Sequence, residues 1–399
     1  MRNLLWLGLA CLANSCCLFA ADGVSDAKEQ VDRLIAAARI YDPEEMEAAI
    51  EEIVKIGSPA IPELLPALRD FDDNVRWQAV LALGKMGKAA RGEVQRIVLM
   101  LGDDDSDVRA AAAEALGMLG VGKPEVAIPL EKCLEDPHGI VRASSNWALW
   151  QFREDGKYIA GLVMELASAD WIVTGRVVRH LASIGKPAAP HLAAYIARPG
   201  LPGRYLAAQA FARMDGFPDA VIPTLVRCLD EGNPQLAMAS AEALGRAGRA
   251  AVPALLVAME SGSPGNRRFA SEALGLVGKP ASLAVPKLIR QLGEPDHSLR
   301  LATLCALGRI GANPPGTEAM VGQLLGDPNP DIRGAACYAL GHLGMEEKET
   351  FLKLRELSTG DRKDFVRQAA KSALKAQGTG NESRASSYSR NPVTGNSAP

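Results

Sequence analysis

The sequence predicts an all-α protein, an α-α superhelix of about eleven two-helix repeats, and three features of the chain carry that prediction. A residue pattern recurs at a nearly constant interval, apolar positions within it follow helical spacing, and Gly and Pro punctuate it at matching places. Indexed on its closing position, the pattern falls at Gly57, Gly87, Gly120, Arg153, Gly185, Asp215, Gly248, Gly278, Gly311, Gly344 and Gly378. The intervals run from 30 to 34 residues. Units that cannot bury their apolar face alone must stack on their neighbours, so such a period predicts a solenoid.

Each element of the repeat has its own justification. Counting back from the closing position, apolar or small residues stand at −12, −8, −5, −4 and −1, as in Val108, Ala112, Ala115, Leu116 and Leu119. That spacing is one stripe along a helix, the second helix of the unit. Gly at the closing position is the helix stop. Pro follows at Pro62, Pro129, Pro190, Pro223, Pro253 and Pro286, where it suits the first turn of the next helix. Aromatic residues make up only 5% of the chain, so these helices pack through Ala, Leu and Gly rather than through large rings.

Written out, the second helix reads V-R-x-x-A-x-x-A-L-G-x-φ-G, with φ apolar, as in Val75 to Gly87 and Val108 to Gly120, and the first opens A-x-P-x-L, as at Ala251 to Leu255. From about residue 30 to 378 the chain resembles HEAT repeats, in particular the short HEAT-like repeats of bilin lyases. The resemblance implies a superhelix whose second helices line the inner, concave wall, and an Asp–Arg ladder between neighbouring units.

Arg stands at −11 in most units, and an acid often stands six residues before it. The expected ladder is Asp70, Arg76, Asp103, Arg109, Asp136, Arg142, Arg300, Asp327, Arg333, Asp361 and Arg367, with Glu294 ahead of Arg300 and further arginines at Arg204 and Arg267. A guanidinium at the edge of a buried stripe needs acceptors, and a carboxylate in the preceding turn offers two.

Outside the repeats, residues 1–21 have a basic start, an apolar run and small residues towards Ala20 and Ala21, the plan of an export signal too short to span a bilayer. Lipid attachment at Cys16 is the alternative to cleavage. Residues 22–378 are the solenoid, and 379–399, rich in Ser, Asn and Gly, read as a disordered tail. Cys133 and Cys228 occupy the same position three units apart, and Cys305 and Cys337 are out of phase, so free and mostly buried thiols are expected rather than disulfides.

No catalytic or metal-binding constellation emerges. His138, His180, His191, His297 and His342 are scattered over different units, and no C-x-x-C or G-x-S-x-G motif occurs. A net charge of −3 gives no field for nucleic acid. The expectation is a monomer without enzymatic activity, cofactor, metal or transmembrane segment.

Positions −10, −6 and −2 lie opposite the buried stripe, so the residues there should form the binding wall. The candidate partner-binding residues are Trp77, Trp147, Arg179, Tyr205, Arg213, Arg246, Arg268, Arg309 and Tyr338, among neighbours that include Lys85, Met118, Leu276, Leu301 and His342. Six basic residues against Glu114, Glu242 and Glu272 make this face positive. The fourth and fifth units depart most from the pattern, with Trp150 for Gly, His180 for Ala and Thr174 for Arg. Trp147, Arg179, Tyr205 and Arg213 are therefore the expected central patch. The sequence points to an exported scaffold, periplasmic or extracellular, that holds a protein or peptide with acidic and apolar features. A bilin-lyase-like enzyme or lyase chaperone, and an envelope polysaccharide binder, are the alternatives.

Overall fold

The computed structural model describes residues 26–388, which form eleven helix pairs in two compact units. The expected export signal, Cys16 and residues 389–399 lie outside the described residues. The first unit holds α1 (26–40), α2 (Pro43–Ile56), α3 (Ile61–Ala67), α4 (Asp73–Lys85), α5 (Val94–Met100), α6 (Ser106–Leu119), α7 (Pro124–Lys132), α8 (Gly139–Arg153), α9 (Gly156–Met164) and α10 (Trp171–Ile184). The second holds α11 (Ala189–Ile196), α12 (Arg204–Arg213), α13 (Ile222–Cys228), α14 (Pro234–Ala247), α15 (Val252–Ser261), α16 (Pro264–Val277), α17 (Val285–Gln291), α18 (His297–Ile310), α19 (Thr317–Gln323), α20 (Pro330–Leu343), α21 (Lys348–Gly360) and α22 (Asp364–Tyr388). The even-numbered helices are the second helices of the repeat. Within each unit they pack side by side, α4 on α6 and α6 on α8, and likewise from α12 through α22.

The leucine four residues before the closing position is the common anchor of the core. Leu83, Leu116, Leu149, Leu181, Leu244, Leu274, Leu307 and Leu340 are all 0% exposed. Each buries about 2 kcal/mol worth of apolar surface. Polar caps begin the even helices: Asp72 accepts from the Asn74 amide, Asp105 from those of Asp107 and Val108, and Asn233, Asp296 and Asn329 act alike. At the other end Gly120 takes φ +63° and stops α6. Where Arg153 replaces that glycine, Glu154 adopts φ +50° one residue later and α8 still ends. Gly378 does not end α22, which runs on to Tyr388, so helix extends into the segment expected to be irregular. No proline follows until Pro392, and glycines such as Gly378 and Gly380 weaken a helix without necessarily breaking it.

The Asp–Arg ladder is present, with a partner choice different from the expected one. Arg76 Nε and Nη2 donate to Asp103, the carboxylate of the following turn, both at 2.9 Å. From its own preceding turn it takes the main-chain carbonyl of Asp70, through Nη1 at 2.9 Å, and not the carboxylate. The same fork joins Arg109 to Asp136 and Arg333 to Asp361, while Arg300 meets Asp327 through Nη1 at 2.7 Å. Asp70 instead pairs with Arg39 of α1, and Arg367 closes on Asp361 O and Asp364. Two rungs escape a strict reading of the pattern: Arg142 reaches Glu165, and Arg204 reaches Glu231. The reason is geometric, since 27 residues forward the carboxylate faces the guanidinium edge-on, while its own turn can present only main chain. Burial alone would raise the Asp136 carboxyl, yet the Arg109 fork and the His138 amide hold it below the usual range. Arg109→Ala strands that carboxylate and the Asp103 carbonyl together. We expect it to cost about 2 kcal/mol in urea unfolding while leaving partner binding unchanged.

The four cysteines among the described residues are free, as expected, and all but Cys305 are buried. No helix among the described residues is long and apolar enough to cross a membrane.

Candidate functional site

None of the nine candidate wall residues is buried; each is exposed or half-buried on an even helix. Trp77, Trp147 and Arg179 belong to the first unit, and Tyr205, Arg213, Arg246, Arg268, Arg309 and Tyr338 to the second.

In the first unit the wall is not the positive strip that composition suggests. Trp77 lines a cavity of about 150 Å³ with Tyr41, Asp73, Asn74, Asp105, Asp107, Ile172 and Arg176. Three acids face one base there. The Asp107 carboxyl is pushed up, first by burial and then by the charge of Asp105. The acids arise because the turns before α4 and α6 carry the capping and first-turn aspartates that start those helices. Such a cup suits a basic side chain lying on aromatic walls.

Glu114 is also not a surface acid. Arg176 Nη1 donates to its Oε1 at 3.1 Å, Ser144 Oγ donates at 3.2 Å, and His180 Nε2 lies 3.0 Å away. Burial would raise the Glu114 carboxyl, but the His180 contact and the Arg176 charge bring it down to about 2. The residue at a core alanine position, His180, thus joins the Arg176–Glu114 ion pair that ties α10 to α6. Trp147 stacks on His180 with ring centroids 4.9 Å apart, and its Nε1 donates to Ser183 Oγ at 3.2 Å. It also covers Gly117, so part of this ring is committed to packing. Arg179 remains exposed beside it.

The second unit holds a groove between two even helices. Arg268, Glu272 and Leu276 of α16 and Ser298, Leu301, Ala302, Cys305 and Arg309 of α18 line a cavity of about 450 Å³. Leu276 and Leu301 are exposed apolar residues. Arg309 is exposed and makes no ion pair among the described residues. Arg268 lies over the Phe269 ring, 4.4 Å from its centroid, and 3.2 Å from Glu272 Oε1. Burial raises the Glu272 carboxyl despite Arg268, and it raises the Cys305 thiol. Elsewhere in this unit Arg246 Nε donates to Ala212 O at 3.1 Å, Tyr338 leans on His342, and Tyr205 and Arg213 sit at the two ends of α12. Cys305 stands at the −6 position, so the repeat register itself marks it as a wall residue. The cup had no such marker, because Tyr41, Asp107 and Ile172 come from turns and helix starts outside that register.

Among the described residues no group of three or more His, Cys, Asp or Glu side chains is placed to hold a metal ion.

No curated protein matches the chain. In fold it is similar to the karyopherin Kap121p bound to the extreme C-terminus of the protein phosphatase Cdc14p, with a TM-score of 0.50 and 13% identity over 88% of this chain and 46% of that one. Kap121p bound to Ste12p gives a TM-score of 0.52 and 12% identity over 84% and 43%. A more distant likeness, with a TM-score of 0.35 and 24% identity, joins 39% of this chain to 99% of a chain in the CpcE–CpcF complex of phycocyanin lyase from Nostoc sp. PCC7120. The chain therefore spans less than half the length of the karyopherins, and at these identities the likeness concerns the fold. Residues 31–95, 61–150, 222–285 and 285–375, more than half of the chain, match the family model described as HEAT repeats. With the repeated Leu anchors, the glycine stops and the Arg–carboxylate rungs already in place, this chain belongs to the HEAT-repeat family.

Proposed function

We propose that this chain is a non-catalytic interaction scaffold that holds an acidic, partly apolar segment of a protein partner on the even helices of its second unit. The observation that carries this reading is the α16–α18 groove, where Arg268 and Arg309 flank an apolar floor of Leu276, Leu301 and Ala302. Exposed arginine beside apolar side chains is the composition of contact hot spots. Kap121p, of similar fold, is described with protein segments bound.

A non-enzymatic role is supported by the thiols. Burial pushes Cys228 up to about 11 and Cys337 up to about 12, so neither offers a thiolate for covalent attachment near neutral pH. The plan of residues 1–21 supports export, to the periplasm or beyond the cell.

The test is capture of partners from an envelope extract by the chain from residue 22 onwards, followed by titration of the captured protein. The double variant Arg268→Glu/Arg309→Glu should weaken that binding at least tenfold with an unchanged melting temperature. Equal affinity in the double variant would sink the assignment of the groove.

A further inference from the structure

The cup of the first unit is rimmed by exposed aromatic residues that the repeat does not call for. Phe71 sits in the turn two residues before α4, a position that other units fill with Asp104, Pro137, Gly232, Pro295 or Pro328. Trp171 is the first residue of α10, where other even helices start with Asp73, Ser106, Pro234, Pro264 or Pro330. Phe71 and Trp171 are 86% and 80% exposed, and Tyr41, in the turn between α1 and α2, is 63% exposed. At those exposures the rings are no part of the core. A lone exposed apolar residue is ordinary, but large rings gathered round one cavity mark a contact surface.

The three rings belong together. Arg39 pairs with Asp70 at 3.0 Å and lies over the Phe71 ring, 5.5 Å from its centroid, which joins the turn of Tyr41 to the turn of Phe71. Tyr41 itself lines the cup with Trp77, and Trp171 directly precedes Ile172, a further wall residue. We propose that this surface docks an apolar segment of a protein partner through one arginine side chain, which enters the cup.

Charge selects the arginine. Asp73, Asp105 and Asp107 line the cup, and none of them forms an ion pair among the described residues. Asp73 and Asp105 each spend one oxygen on amides at a helix start, which leaves the other to a ligand. The one base in the lining, Arg176, is committed to Glu114 at 3.1 Å. Among the described residues these acids are not placed to hold a metal ion together, so the cation that answers them has to spread its charge. A guanidinium offers five N–H donors over a plane, reaches separate carboxylates and lays its face on an aromatic wall, whereas an ammonium is a point charge. A neutral sugar would stack on the same rings and leave all three carboxylates unanswered. The surface lies wholly within the first unit and selects the charge opposite to that of the α16–α18 groove, so it does not rest on the reading of that groove.

The test is a fluorescence-anisotropy titration of the full chain with a fluorescein-labelled, end-capped peptide Gly-Leu-Arg-Leu-Gly, and with a twin carrying citrulline, which keeps the shape of arginine without its charge. We expect saturable binding of the arginine peptide and at least tenfold weaker binding of the twin. Asp107→Asn in the cup and Trp171→Ser on the rim should each weaken the arginine peptide at least fivefold. Neither side chain holds the fold, since Trp171 is at the surface and the Asp107 carboxylate makes no hydrogen bond among the described residues, so both melting temperatures should match that of the wild type. No saturable binding of the arginine peptide, equal binding of its twin, unchanged affinity in either variant, or displacement of the peptide by neutral chitohexaose would overturn the proposal. So would self-association in sedimentation that the peptide blocks, which would give the surface to a second copy of this chain.

Discussion

Glu114→Ala should lower the stability of the first unit by about 3 kcal/mol or more, read as a fall in its melting temperature. The substitution leaves the Arg176 guanidinium, on a side chain 10% exposed, without its counter-charge, and a buried ion deprived of its partner is among the most costly single changes. The effect has a pH signature. The Glu114 carboxyl is held at about 2 in the folded chain against an ordinary 4.5. A carboxylate with a depressed folded pKa stabilises fully above its unfolded value and loses that contribution as pH falls through the folded one. The window therefore runs from about pH 4.5 down to about 2, and the contribution is about 3 kcal/mol. Asp103, Asp136 and Asp361, each held low by an arginine fork, lose stability in the same direction. Glu114→Gln should flatten the acid limb of the stability curve between pH 4.5 and 2. A curve that superimposes on that of the wild type would show that Glu114 does not contribute in this way.

This cluster also shows where sequence reading stops. Core positions were legible because they repeat: a leucine at −4 in unit after unit has one physical explanation, and the fully buried Leu83, Leu116 and Leu149 confirm it. Arginines at −11 were legible as scaffold for the same reason. Their partners were less so, because spacing along the chain favours the acid six residues away over the one 27 residues ahead that the fold delivers. Glu114 was misread as a surface acid because a helical wheel knows only its own helix. Arg176 and His180 arrive from α10, more than sixty residues on, and bury it. The groove was partly legible, since Arg268, Leu276, Leu301 and Arg309 share one register across adjacent units.

Gly84→Val should be the most damaging single change in the stacking of even helices. A Cβ built on Gly84 of α4 would lie 2.7 Å from the Cα of Ala115 on α6 and 2.8 Å from its Cβ. The nearer obstacle is main chain, so no side-chain rotation relieves the clash and the two helices must move apart. The same close approach recurs three residues before the closing position, at Gly275 against Ala306 and Gly341 against Ala373. It explains why the pattern ends in L-G-x-φ-G. Overpacking of this kind costs about 1–3 kcal/mol when side chains yield and more when backbone must. We expect a loss of at least about 3 kcal/mol in urea unfolding. The control is Gly175→Ala in α10, where a Cβ meets nothing within 4 Å and φ is not left-handed. In a helix that change should stabilise by up to about 1 kcal/mol. Opposite signs at two helical glycines would locate the cost of Gly84→Val in the contact between helices. Equal losses at both would place it in backbone preference and remove the packing explanation for the glycine of the repeat.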